Sequence, residues 1–252
     1  PLNVAIGVEY RREDFSVSEG EPASYNKGPV TAGGSGSQGF PGFAPTNAVD
    51  VDRHNISAYI DLEGKFSEQF SVGLAGRYED YSDFGDQFTG KISGRYDFTP
   101  AFAIRGAIST GFKSPALQQQ YFSYVATNLV ATGSGVTLQQ NGSYRVDDPI
   151  AIALGAKPLE PETSTNYSLG AVFRHEGFEL TVDTYRIDVQ DRIIYSETLG
   201  VSRPSQTAQS TAAIQALLAP YGVTGARFFL NGVDTTTSGV DVVARYRTQQ
   251  DF

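Results

Sequence analysis

In the run Phe102-Ala-Ile-Arg-Gly-Ala-Ile-Ser-Thr-Gly-Phe112, Phe102, Ile104, Ile108 and Phe112 share one parity, and Ala103, Arg105, Ser109 and then Lys113 share the other. A strand sends successive side chains to opposite faces, so such a strand is greasy on one side and charged on the other. The pattern recurs along the chain. Val4, Ile6, Val8 and Tyr10 oppose Asn3, Glu9 and Arg11 over about 2–13, and Ile56, Ala58, Ile60 and Leu62 oppose Ser57, Asp61 and Glu63 over about 52–66. Phe70, Val72, Leu74 and Tyr78 oppose Arg77 and Glu79 over about 70–82, and Phe88, Ile92, Tyr96 and Phe98 oppose Lys91, Arg95 and Asp97 over about 87–98. Tyr167, Leu169, Ala171 and Phe173 oppose Asn166, Ser168 and Arg174 over about 163–175. Two further strands are predicted at about 178–196 and 226–248, the last with Val240, Val242 and Tyr246 against Asp241 and Arg245. In the strand over 178–196 the parity slips near Tyr185, which predicts a β-bulge there.

A chain built this way is short of apolar residues for a dry core. The economical solution is an all-β, antiparallel, up-and-down transmembrane barrel with grease toward lipid and charge toward a wet lumen. A soluble β-sandwich with one solvated face is the alternative. Connection lengths favour the barrel. They are short at 67–69, 99–100 and 175–177 and long after the first, fifth and seventh strands, with only 83–86 departing. Short turns on one side and long loops on the other are the outer-membrane pattern, whereas a loop over about 114–162 is odd in a compact soluble domain.

Composition narrows the classes further. The 252 residues include no Cys, no Met and no Trp, but 14 Tyr and 16 Phe, enough for aromatic girdles. There is no apolar run of about 20 residues, so no helical span is expected. Without Cys, disulfide scaffolds and thiolate metal sites are excluded. A net charge of -9 argues against nucleic acid as a partner. Pro1 and the Gln249-Gln-Asp-Phe252 tail read as cuts inside a longer protein.

Five stretches resemble one family. They are Gly76-Arg-Tyr-Glu-Asp-Tyr-Ser-Asp-Phe-Gly85, Gly111-Phe-Lys-Ser-Pro-Ala-Leu117 and Leu159-Glu-Pro-Glu-Thr-Ser-Thr-Asn-Tyr-Ser-Leu-Gly170, followed by Thr184-Tyr-Arg-Ile-Asp-Val-Gln-Asp-Arg-Ile193 and Asn231-Gly-Val-Asp-Thr-Thr-Thr-Ser-Gly-Val-Asp-Val242. In this order they resemble TonB-dependent outer-membrane receptors, with Lys113 and Ala116 departing mildly from that family's Arg and Ser. The resemblance implies a 22-stranded barrel with a plugged lumen, of which 1–252 would supply about eight strands. The plug domain and the TonB box are not visible in this sequence. It further implies a bacterial outer-membrane location, outer-membrane lipid, the plug and the TonB complex as partners, and active uptake of a scarce nutrient. The substrate stays open among siderophore, vitamin, metal chelate and oligosaccharide. A passive porin or an adhesin-type barrel is the runner-up, and an outer-membrane enzyme the third reading.

Each candidate site has a plainer role beside the functional one. The loop aromatics Tyr25, Phe40, Phe43, Tyr121, Phe122 and Tyr124 suit a ligand vestibule, or equally the packing of loops together. Arg11, Arg77, Lys91, Arg95, Arg105, Arg174 and Arg245 are assigned to the lumen, where cross-strand pairing is favoured over a solute-lining role. Gly34-Ser-Gly-Ser-Gln-Gly39 fits a nucleotide fingerprint but lies in a loop before Pro41, so it reads as a flexible turn. His54 and His175 have no ligand set, and no nucleophile elbow occurs, so no metal, cofactor or catalytic residue is assigned. Thr211–Ala219, stopped by Pro220, reads as a loop helix resting on other loops through Ile214, Leu217 and Leu218. An arginine is expected to be costly at Ile104 and mild at Ala103.

Overall fold

The computed structural model describes residues 2–29, 36–37, 41–132, 135–201 and 207–248. Eight long strands form one antiparallel sheet: β1 (Leu2–Val17), β2 (Val49–Lys65), β3 (Phe70–Tyr81), β4 (Gly85–Thr99), β5 (Phe102–Lys113), β8 (Glu162–His175), β9 (Phe178–Tyr195) and β11 (Phe229–Tyr246). Their order in the sheet is their order in the chain, an up-and-down meander. The lower turns are tight for local reasons. Glu176 and Gly177, both at positive φ, close the two-residue hairpin between His175 and Phe178. Ser67 Oγ accepts from the amides of Gln69 and Phe70, and Thr99 Oγ1 from those of Ala101 and Phe102.

Register converts alternation into geometry. One face of the sheet carries an exposed aliphatic band between two aromatic tiers. The lower tier is a continuous file of rings, Phe66–Phe70–Tyr96–Phe98–Phe102, with neighbouring centroids 6.1, 6.4, 4.8 and 5.5 Å apart. The upper tier is Tyr10, Tyr78, Phe88 and Tyr167, all exposed. Tyr10 pairs with Ile56 and so lies in the row of Asp80, whereas Tyr167 pairs through Ile108 and Ile92 into the row of Leu74. The tier therefore drops six residues along β3 over five strand-to-strand steps. At about 3.3 Å per residue and about 4.8 Å per strand, that is a tilt of about 40°. Transmembrane barrels tilt their strands by about 35–45°, and the tiers end up roughly the height of an apolar membrane band apart.

The parity slip in β9 has a cause other than a bulge at Tyr185. The register of β9 against β8 runs unbroken from Gln190 to Phe178. Above Tyr167 the outer face leaves the apolar band, so Arg186 and Asp188 pair there in water and the apolar residues change sides. The irregularity sits higher, where the pairing jumps between Val233 and Thr235 of β11 and Asp191 takes φ 55.

The long connections are more structured than their composition indicates. The segment from 114 to 161 holds α2 (Leu117–Tyr121), β6 (Tyr124–Thr132), β7 (Gly135–Ser143) and α3 (Pro149–Ala153). The connection after β9 holds α4 (Ala208–Leu218) and β10 (Gly225–Arg227), and β10 pairs in parallel with β7. The last long strand accordingly starts at Phe229 rather than 226. Helix α4 begins before 211, because Thr207 accepts from the Ser210 amide as its cap. Leu218 is fully buried and Ile214 packs beside it, while Leu217 is 47% exposed. Tyr144, Ala151, Leu218, Ala226 and Phe228 form a small core shared by the two connections.

Arg53 fastens this outer layer to the wall. It is 5% exposed, pairs with Glu13 of β1, donates to the Pro115 carbonyl at 2.6 Å and to Ser114 at 3.2 Å, and lies 3.5 Å from Asp83. Its guanidinium sits 5.5 Å over the Tyr81 ring. Removing one partner of a buried pair strands the other charge, so Arg53→Met should destabilise the outer layer by about 3–5 kcal/mol. Limited proteolysis at 82–84 and 114–116 measures this, and an unchanged cleavage rate counts against the clamp. The facing test also sharpens. Ile104 stands only one alternation above Phe102, and Ala103 is 3% exposed, so neither is well placed for it. Ile92, midway between Phe88 and Tyr96 on β4, is the midplane position, and half-buried Ala107 is the tolerant one. Ile92→Arg should cost assembly about 2–4 kcal/mol and Ala107→Arg much less, read from urea titration of folded receptor in lipid vesicles.

Candidate functional site

The outer rim is built from the connections. Phe43 sits edge-on to Phe122, with centroids 6.1 Å apart, and to Tyr124 at 5.7 Å. Tyr124 donates its hydroxyl to the Pro41 carbonyl at 3.2 Å, and burial pushes that hydroxyl's pKa up. Beside it, buried Asn47 donates to Ser123 at 3.0 Å while its side-chain oxygen accepts from the Ala44 amide. Three of the aromatics singled out in the sequence thus meet and tie the connection after β1 to the one after β5. Tyr25, closing α1 (Pro22–Tyr25), and Tyr121, closing α2, stand outside this cluster, and Phe40 lies outside the described residues. Most of the glycine-rich fingerprint, Gly34–Gly39, also lies outside them.

A second aromatic group had no sequence signal beyond ordinary strand composition. Tyr195 stacks on Phe229 at 4.6 Å, and Arg227 lies 4.8 Å over the Tyr195 ring. The stack stands where β9 and β11 enter the outer layer. Tyr144, packed in the small core, has its hydroxyl pushed up to about 12 by burial and by nearby Asp148, and among the described residues it finds no hydrogen-bond partner.

The second face of the sheet carries charge. Arg77 donates to Glu79 at 2.7 Å, to Glu9 at 3.0 Å and to Ser57 at 2.8 Å. Glu79 also accepts from Asn55 at 2.9 Å and from the Tyr81 hydroxyl at 3.1 Å. Arg105 grips Asp183 with two hydrogen bonds at 3.0 and 2.7 Å, and Arg95 holds Asp97. Arg174 pairs with Glu179, and Arg11 with Glu13. Among the described residues, Lys91 and Arg245 form no ion pair. The register puts all of these on the face opposite the aliphatic band. No group of three metal-ligating side chains occurs among the described residues. His54 stacks on Tyr10 at 6.1 Å, and His175 ends β8 at its hairpin.

The five family-like stretches converge on structural joints. Lys113, from the second, pairs with buried Glu162, from the third, at 2.8 Å, and Glu162 also accepts from the Ile193 amide. Pro115 is fully buried and Leu159 nearly so. Asn231 donates to the carbonyls of Glu160 and Asp191 and accepts from the Glu160 amide, pinning the strand irregularity to the entry of β8.

Comparison with known proteins agrees with this geometry. The ferric enterobactin receptor PirA of Pseudomonas aeruginosa is 26% identical over 199 residues, covering 76% of this chain and 24% of that protein. The vitamin B12 transporter BtuB of Vibrio cholerae is 32% identical over 81 residues, covering 32% of this chain and 13% of that protein. The crystal structure of the siderophore receptor PirA from Acinetobacter baumannii superposes with a TM-score of 0.61 at 18% identity, over 97% of this chain and 32% of that one. The chain therefore spans about a quarter of the length of the full-length receptor of P. aeruginosa that it matches. The model of the TonB dependent receptor-like β-barrel matches residues 2–251, and with the tilted two-faced sheet and the pinned joints this chain belongs to that family of outer-membrane barrels.

Proposed function

We propose that the chain is the wall-and-rim portion of an outer-membrane receptor that captures a ferric siderophore outside and imports it through a plugged barrel with energy supplied by TonB. The observation that carries the reading is the outer layer. Two long connections share a core and a parallel strand pair, and the first connection is locked to them through Phe43, Phe122 and Tyr124. An ordered rim with aromatic and cationic groups suits capture of a bulky solute, since rigid aromatic anchors dominate recognition. The matched relatives include a ferric enterobactin receptor and a vitamin B12 transporter, both handling large metal complexes.

In this reading the charged face lines the lumen. Arg11, Arg77, Lys91, Arg95, Arg105, Arg174 and Arg245 lie along it, against the plug domain of the full-length protein. Tyr25, Phe43, Tyr121, Phe122 and Tyr124, joined by Tyr195 and Arg227, form the ligand vestibule. Outer-membrane lipid covers the aliphatic band. No covalent chemistry is needed, so the protein is a carrier rather than an enzyme.

Cells carrying the full-length receptor as their only siderophore receptor should accumulate iron-55 presented as ferric enterobactin. A protonophore should abolish accumulation and leave surface binding intact. Accumulation that rises linearly with concentration and ignores the protonophore would mean a passive pore instead. Phe43→Ala removes two edge-to-face contacts, worth about 0.5–1.5 kcal/mol each, and should weaken surface binding by about three- to tenfold. Full affinity in that variant would remove the cluster from the vestibule.

A further inference from the structure

The charged face has one region without charge. On β5, β8, β9 and β11 the first uncharged row is Ala107–Ser168–Tyr185–Gly239. The next is Ser109–Asn166–Ile187–Thr237. The third is Gly111–Ser164–Val189–Thr235. Two of the twelve positions are glycine, the ten side chains are short, hydroxylated, amide-bearing or apolar, and no position is buried. Immediately below lies the row Arg105–Gly170–Asp183–Asp241, with its ion pair, and immediately above stands the Lys113–Glu162 pair. The contrast is internal to the sheet. Followed across β4, β3 and β2, the rows of Ala107 and Ser109 meet Lys91, Asp61 and Glu63. From Arg105 to Lys113 the region is about 26 Å tall, and its four strands span about 14 Å.

We propose that this neutral window is the stretch of wall along which the imported solute slides, held by weak contacts to its amide and aromatic surface rather than by fixed wall charge. The proposal rests on the uptake reading above. A solute that fills the gap beside a plug must strip water from the wall it passes. A fixed wall charge loses hydration as that happens and then either repels the solute or traps it. A path for conduction needs contacts that are weak and repeated. Ser109, Ser164, Ser168 and Thr237 offer such contacts to amides, and Tyr185, Ile187 and Val189 offer them to rings. Tyr185 lies flat because Gly239 opposite leaves room, since a Cβ there would come within 2.5 Å of the Tyr185 hydroxyl. The plug is the less suitable occupant, because a docked domain gains from directional pairs and the window supplies no charge for them.

The test uses the full-length receptor in cells, with ferric enterobactin labelled by iron-55 and cyanocobalamin labelled by cobalt-57. Asn166→Lys and Asn166→Asp should both slow energised uptake by about tenfold or more while surface Kd and heat-modifiable migration stay unchanged. Asn166→Ser and, on the charged half, Ala75→Asp should keep the rate within about twofold. Because this segment has no Cys, Asn166→Cys allows charge to be added after folding, by thiosulfonate reagents of either sign, with a neutral reagent as control. That arm decides the matter if the charged variants do not assemble. Uptake that survives charge of both signs, or that one sign accelerates, overturns the window. So does equal loss with the neutral reagent, and so does a charged variant that loosens the plug to protease while transport persists. If the unsubstituted receptor imports neither probe, the uptake reading itself fails, and the window with it.

Discussion

In hydrocarbon a backbone amide has no water to pair with, so every strand must be zipped to its neighbours along its whole membrane length. That requirement fixes register, and register fixes which way each side chain points, because a slip of one residue would turn the whole strand over. The other features of the sheet follow from it. Tyr10, Tyr78, Phe88 and Tyr167 are far apart in sequence, yet they form one tier because the pairings carry them to one height on a wall tilted by about 40°. The switch of faces at Arg186 follows as well. The side chains keep their alternation while the surroundings change, so residues above the band exchange chemical character without any backbone defect.

Charge on the opposite face is paired both across strands, as in Arg105–Asp183, Lys113–Glu162 and Arg174–Glu179, and within them. Arg11–Glu13, Arg77–Glu79 and Arg95–Asp97 each join residues two apart, which are the nearest same-face neighbours on a strand. Arg12–Asp14 and Arg186–Asp188 repeat the spacing on the outer side, above the apolar band. Such exposed or half-exposed pairs are worth about 0–1 kcal/mol each. They keep the wall close to neutral locally but hold little together. Arg53 differs because it is buried. It has lost its water and must be repaid by Glu13, Ser114, the Pro115 carbonyl and the face of Tyr81 together. The outer layer is therefore fastened to the wall at one guanidinium, whereas the wall is held by its backbone.

The eight long strands and their tight turns were legible because a period of two is a direct imprint of a two-solvent environment. The outer layer was not. β6 and β7 carry no comparable alternation in Tyr124–Thr132 and Gly135–Ser143. Arg53 was invisible for the opposite reason. It lies on the same parity as a dozen other charges, and nothing local distinguishes the one that Pro115 and Tyr81 enclose. The aromatic cluster of the rim was half legible. Loop aromatics could be named, but that Phe43 would meet Phe122 and Tyr124 while Tyr25 and Tyr121 would not depends on contacts some 80 residues apart. Ala103 misled because parity reports the face and not the depth of cover on it.

The way the connections are joined limits how the rim can move. β10 pairs in parallel with β7, and the antiparallel bridge between Leu199 and Ala226 closes the connection after β9 on itself. Behind these lie Phe228, Leu218 and Tyr144, whose unbonded hydroxyl is kept neutral by its burial. Lifting either connection alone would break the strand pairing and open that core, so the two move as one body. The first connection is held differently, by a few ring edges, the Asn47–Ser123 bond and the Tyr124–Pro41 bond. Contacts of that kind are each worth about 0.5–1.5 kcal/mol and can exchange one at a time. Among the described residues the seam around Phe43 is therefore the more weakly held joint of the rim, beside the shared core and the Arg53 clamp.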